Sequence, residues 1–427
     1  MVNPMRSALV IVTCLLSFAR QACGQTADQA LIARGEYLAK AGDCAGCHTA
    51  PKGGAPFAGG LGMASPFGTI VSSNITPDKQ YGIGEYTYDD FARTLREGVA
   101  RGGKHLYPAM PYPSFSKIDD DDMHALYAYF LHGVQPVAKA AAPTRLPFPF
   151  NQRWALAFWN FAFAPTGLYA VRTDHDAQWN RGAYLVQSLG HCGACHTPRG
   201  PAYEERGYTE SSRLYLTGGT NDHWFAPNLT GDPGAGLGRV HEAEIAAFLK
   251  SGHGGDLVTF GSMVQVVEDS MQYMNDDDLN AIAHYLKSLP AEQPSGAYRP
   301  RSLGAKQTTA AAHTGNIERP GAGIYLSYCA KCHGGEAQGM PQKYPKLAGN
   351  PAVLGPDTTS LIRLMIEGGN SPDTQHGPPR KNMPAYAGML TNTEIAQVLT
   401  FIRTTWGNNA SPVTTRDVIL LRDDIHK

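Results

Sequence analysis

The chain has 427 residues, 42% apolar and 17% charged, with a formal net charge of -1. This describes a globular protein of two to four units, and the balanced charge excludes a global field that would draw nucleic acid or an anionic surface. The 47 glycines and 30 prolines imply long loops between short helices.

The first feature in chain order is a leader. Arg6, the apolar run Ser7 to Ala19 and the small residues Ala22 and Gly24 read as an export signal, so residues 1–24 are expected to be removed before Gln25. The run is shorter than the ~20 apolar residues a membrane span needs. A lipidated Cys23 is the other reading, opposed by Arg20 where an aliphatic residue belongs.

Six cysteines follow the leader, in three pairs of one spacing: Cys44-Ala45-Gly46-Cys47-His48, Cys192-Gly193-Ala194-Cys195-His196 and Cys329-Ala330-Lys331-Cys332-His333. C-x-x-C-H is the attachment signature of haem c. Thiols at i and i+3 lie on one side of a helical turn, where each reaches a haem vinyl group, and the adjacent imidazole lies below the iron. A zinc ribbon needs two C-x-x-C pairs about 15 to 20 residues apart, and a thioredoxin-like pair needs no following His. Three covalent haems are therefore expected, on Cys44, Cys47, Cys192, Cys195, Cys329 and Cys332, with His48, His196 and His333 on iron.

The surroundings repeat as well. Arg34-Gly35-x-Tyr37-Leu38 and Arg181-Gly182-x-Tyr184-Leu185 precede the first two motifs, and Gly323-x-Tyr325-Leu326 the third. Asn74-Ile75-Thr76-x-Asp78 matches Asn228-Leu229-Thr230-x-Asp232. Each unit ends in an amphipathic helix opened by Asp120-Asp121-Asp122, Asp276-Asp277-Asp278 or Thr391-Asn392-Thr393-Glu394. The expected fold is all-α, three tandem domains laid out like class I cytochrome c. They cover 25–140, 176–290 and 314–410, joined by an aromatic, Pro-rich linker at 141–175 and a linker at 291–313, with a tail at 411–427.

A haem that only carries electrons takes a second protein ligand, and a Met from the loop before the final helix fits. This selects Met110 in Tyr107-Pro108-Ala109-Met110-Pro111 and Met383 in Asn382-Met383-Pro384, where Pro stiffens the segment presenting sulfur. In the second unit Met263 follows Gly252 by 11 residues, as Met110 follows Gly98 by 12. Met271 and Met274 then read as core, and His253 is the alternative ligand.

On Gly42 to Thr49, Asn74 to Asp78, Leu106 to Pro111, His191 to Arg199, Phe260 to Met263 and Leu347 to Asn350, the chain resembles a known family. It is the cytochrome c subunit of bacterial membrane-associated dehydrogenases, which serves quinone-linked alcohol and aldehyde dehydrogenases and flavin-dependent gluconate, sorbitol and fructose dehydrogenases. The resemblance covers nearly the whole mature chain and supports Met110, Met263 and Met383 as ligands. It implies a position on the periplasmic face of the inner membrane, with peripheral membrane contact. Electrons would come from a separate catalytic subunit (quinoprotein, flavoprotein or molybdenum hydroxylase), with or without a small third subunit, and pass to ubiquinone. The third unit departs from the pattern at Gln338 to Pro341 and in a histidine-bearing insertion near His376.

No catalytic residue is expected, because no Gly-rich dinucleotide turn follows a strand. The rival functions are a haem enzyme with one open iron and a free electron shuttle. Two segments carry contacts of unassigned kind. Phe148 to Phe163 is either a helix buried between the first two units or a membrane or subunit surface, and the tail Val418 to Leu421 either packs or touches lipid.

Overall fold

The computed structural model describes residues 28–300 and 318–425. The expected leader, 1–24, lies outside the described residues, as does most of the 291–313 linker. Each unit has an opening helix, a turn carrying the cysteine pair, a middle helix and a final helix. In the first these are 28–41, Cys44–His48, Tyr88–Glu97 and Asp120–Ala128. In the second they are Ala177–Gln187, Gly193–His196, Glu242–Ser251 and Asp276–Ser288. In the third, Ala322–Ile324 runs through a wider π turn into Ala330–His333, followed by Thr359–Glu367 and Asn392–Arg403.

The final helices start where their acidic or hydroxyl openings place them. Asp119, Asn275 and Thr391 each accept a hydrogen bond from the backbone amide three residues on, satisfying a donor the helix leaves free. The all-α expectation is modified, among the described residues, by six antiparallel pairings of two or three residues, five within loops and one joining Ala297–Tyr298 to Asn408–Asn409. They involve backbone alone and leave no alternating side-chain pattern to read.

The repeated Asn-x-Thr has a structural purpose. Asn74 accepts from the Thr76 amide and hydroxyl and donates to the carbonyls of Val137 and Lys139, while Asn228 accepts from the Thr230 amide and donates to the Glu292 carbonyl. In both units a buried amide thus pins the chain leaving the final helix.

The first two units do not bury separate cores. Leu38, Phe115 and Leu126 of the first share one cluster with Trp179, Leu185 and Ile282 of the second, whereas Tyr325, Ile362, Leu399 and Phe401 form a separate core in the third. The first pair is also joined reciprocally. Arg34 binds Asp122 within the first unit at 2.6 Å, and Arg181 binds Asp278 within the second at 2.7 Å. The tyrosine three residues after each arginine reaches the other unit's aspartate. Such an isologous exchange is the mark of two-fold symmetry, here between two halves of one chain. Gly35 and Gly182 let opening and final helices cross closely: a Cβ there would lie 1.9 Å from the carbonyl oxygens of Ala125 and Ala281.

The third unit docks on the second through polar contacts. Ser360 Oγ accepts from the Phe225 amide at 2.7 Å and donates to its carbonyl at 3.1 Å, and the Arg363 guanidinium lies 4.6 Å over Trp224. The insertion around His376 belongs to this interface: Thr374 donates to the Ser251 carbonyl, the Gln375 amide to Gln272, and Arg380 pairs with Glu268 at 2.5 Å.

The aromatic segment is not buried between units. Arg153–Ala155 and Leu156–Phe163 form a short helix with no buried residue, and Phe161 is 94% exposed. The terminal helix Thr415–Ile425 divides, with Val418 and Leu421 packing into the third core and Ile419 and Leu420 facing outward.

Candidate haem centres

The three C-x-x-C-H turns share one arrangement beyond their spacing. His48 Nδ1 lies 2.7 Å from the Ser73 carbonyl, His196 Nδ1 2.7 Å from that of Pro227, and His333 Nδ1 2.9 Å from that of Pro345. A carbonyl only accepts, so each Nδ1 carries the proton and each Nε2 keeps a bare lone pair. Burial lowers the pKa of all three rings, with the carbonyl bond opposing it, so they stay neutral. This second bond fixes tautomer and ring plane, as it does for metal-ligating histidine generally.

The six cysteines are all free. Burial pushes the Cys44, Cys47, Cys192 and Cys329 thiols up to about 12, with neighbouring acids or thiols adding to it. Among the described residues no three His, Cys, Asp or Glu side chains converge as a metal cluster, so the donor set suits a haem that brings its own nitrogens and not zinc.

Of the sixth-ligand candidates, Met110 and Met263 are partly buried against the shared core, and Met383 against the core of the third unit. Met110 follows a turn closed by its amide on the Tyr107 carbonyl at 3.2 Å. Met263 opens the helix Met263–Asp269, and Met383 pairs in a strand with Gly369. Met271 and Met274 are buried, and Met340 is partly exposed. His253 is buried, with Nδ1 3.2 Å from the Ser251 carbonyl and Nε2 lacking a protein partner.

The first two sites face one another. Gln265 of the second unit donates to the Gly46 carbonyl at 3.5 Å, Leu189 lies against Gly42, and the His191 ring meets Phe115 edge-on at 5.7 Å. Gly46 lies within the first cysteine pair, and His191 directly precedes the second.

Sequence reasoning missed a buried charged group at this junction. Lys117 of the first unit bonds Gln187 Oε1 at 3.1 Å and the Tyr208 carbonyl, and burial lowers its pKa to about 8. Burial raises Glu205 to about 7, against Arg199 and Lys117, and its Oε2 has no protein partner. Neither residue carries a sequence signal, because each is defined by what crosses from the other unit.

The cytochrome c family model matches residues 32–133, 180–290 and 319–406. The chain is 46% identical to the gluconate 2-dehydrogenase cytochrome c subunit of Pantoea cypripedii, over 98% of this chain and 96% of that one. It is 45% identical to the cytochrome c subunit of the quinone alcohol dehydrogenase of Gluconobacter oxydans (strain 621H), covering 93% and 83%. With the fructose dehydrogenase cytochrome subunit of Gluconobacter japonicus it shares 36% identity, covering 93% and 84%.

Proposed function

The chain belongs to the cytochrome c family, and on that premise we propose that it holds three haem c groups and carries electrons for a dehydrogenase complex. The observation that carries this reading is the threefold pairing of a C-x-x-C-H turn with a histidine whose Nδ1 is bound to a carbonyl. Cys44 and Cys47, Cys192 and Cys195, and Cys329 and Cys332 would hold the haems covalently. Nε2 of His48, His196 and His333 and the sulfurs of Met110, Met263 and Met383 would ligate the irons.

When bound, haem c supplies one-electron redox chemistry. The protein's share is to hold each imidazole neutral and oriented and to fix the first two sites side by side. With an imidazole and a thioether offered to each iron, no ligand place would be left for substrate, and the carbon chemistry would fall to a partner subunit. The relatives are named for gluconate, alcohol and fructose dehydrogenases, which supports a catalytic dehydrogenase as the donor. The acceptor in this reading is ubiquinone, at the periplasmic face of the inner membrane.

Reconstitution tests it. The purified holoprotein, mixed with alcohols, aldehydes or sugar acids and a ubiquinone analogue, should turn nothing over alone and should be reduced once its dehydrogenase is added. Deleting the subunit should leave dye-linked activity in the partner and abolish quinone-linked activity. Turnover by the cytochrome alone would overturn the carrier reading.

A further inference from the structure

The segment 148–171 reverses the usual order of a surface helix. Its polar groups point at the protein: Asn160 accepts from the Tyr112 hydroxyl at 2.6 Å and donates to the Glu97 carbonyl, and Trp159 Nε1 donates to the Ala202 carbonyl at 2.9 Å. Arg153 donates to the His105 carbonyl at 2.8 Å and lies 4.2 Å over the Tyr107 ring. Its large apolar groups point away. Trp154, Phe158 and Phe161, at i, i+4 and i+7, are 65%, 70% and 94% exposed, flanked by Phe148 at 79% and Val171 at 72%. No Asp, Glu, Lys or Arg occurs between Arg153 and Arg172.

We propose that residues 148–171 are a lipid-contacting wedge that seats the chain on a bilayer containing anionic phospholipid, with Trp154, Phe158 and Phe161 at the boundary of headgroups and acyl chains. An outward apolar helix face implies an apolar phase outside, and one lacking any polar side chain is poorly matched to the polar rim of a protein interface. Lys104 is exposed at the Trp154 end, beside Arg153, and complements lipid phosphate. No described helix is long and apolar enough to cross a membrane, and eight residues of helix span only ~12 Å, so the wedge lies in the interfacial plane. The wedge is tied through Arg153 and Tyr107 to the loop presenting Met110, so lipid contact would bring the first site nearest the membrane. This rests on the reading of the chain as a carrier with a membrane acceptor.

The test compares mature holoprotein with a variant carrying Trp154→Ser, Phe158→Ser and Phe161→Ser, side chains exposed enough that folding should survive. Co-sedimentation with phosphatidylcholine vesicles, with and without phosphatidylglycerol, should show binding favoured by the anionic lipid and reduced at least about tenfold in the variant. Equal sedimentation of both proteins overturns the proposal. So does a variant that keeps vesicle binding but no longer co-purifies with the dehydrogenase, since the face would then be a protein-docking surface. A variant that loses vesicles yet is still reduced by the dehydrogenase supports both readings. Vesicle binding through the wedge in a protein that no dehydrogenase reduces upholds the wedge and removes the carrier reading.

Discussion

Tyr37 in the first unit donates its hydroxyl proton to Asp278 in the second at 2.5 Å, and its repeat counterpart Tyr184 donates to Asp122 in the first at 2.7 Å. Each aspartate also holds its own unit's arginine, so a single carboxylate secures the helix crossing within a unit and the contact between units. Tyr37→Phe and Tyr184→Phe should each destabilise the pair by about 1 to 3 kcal/mol, because the aspartate left behind is buried. Urea unfolding of the holoprotein checks this, and similar losses at the two positions are expected from the symmetry.

Acid should undo part of the same joint. Burial raises Asp278, but the hydrogen bonds from Arg181 and Tyr37 outweigh it and hold the carboxyl below the usual carboxylate range. A carboxyl depressed on folding stabilises at pH values above its unfolded value of about 3.9, and that stability is lost as pH falls through the folded value. The stability gap between wild type and Asp278→Asn should therefore be large at pH 7 and shrink steadily once the pH drops below about 4. Urea midpoints across that range would show it, and a gap independent of pH would contradict it.

Three equivalent glycines should respond differently to one substitution. Gly35→Ala and Gly182→Ala each drive a methyl into a carbonyl oxygen on the final helix, and a cost of about 3 kcal/mol is expected, with low yield of holoprotein. Gly323→Ala, at the matching place in the third unit, meets no atom within 4 Å and should be tolerated. Thermal unfolding of the three variants separates them.

Haem count and ligation can be read independently. The intact mass of the holoprotein should exceed its polypeptide by three haems. Met110→Ala, Met263→Ala or Met383→Ala should each lower one reduction potential and open one iron to carbon monoxide, with all three haems retained. In the second unit His253→Ala is the contrasting variant. If it, and not Met263→Ala, shifts the spectrum, the imidazole is the ligand.

The C-x-x-C-H turns, the repeats and the starts of the final helices were legible because each depends on residues close in sequence. Cys192 and His196 are four residues apart, and Asn275 caps its helix on the amide of Asp278. The joint between units was not legible, since Tyr37 meets a partner 241 positions away, and a repeat shows that two units are alike without showing that they face each other. The aromatic helix failed for a related reason. Its composition announces a large apolar surface, but which side is covered depends on Glu97, Tyr112 and Ala202, none of them near it in sequence. The insertion around His376 looked like a departure from pattern, and its contacts show it to be a clasp on the second unit.

The dyad between the first two units is broken at one pair of equivalent places. At the end of the second unit's middle helix, the Ser251 carbonyl accepts from Thr374 of the third unit. At the corresponding end in the first unit, the Glu97 carbonyl accepts from Asn160 of the aromatic helix. The same helix end is therefore covered by the third unit in one half of the pair and by the aromatic helix in the other. One fold repeated twice thus offers two unlike surfaces at matching positions, so a ligand or partner that meets one half will not find the same contact on the other.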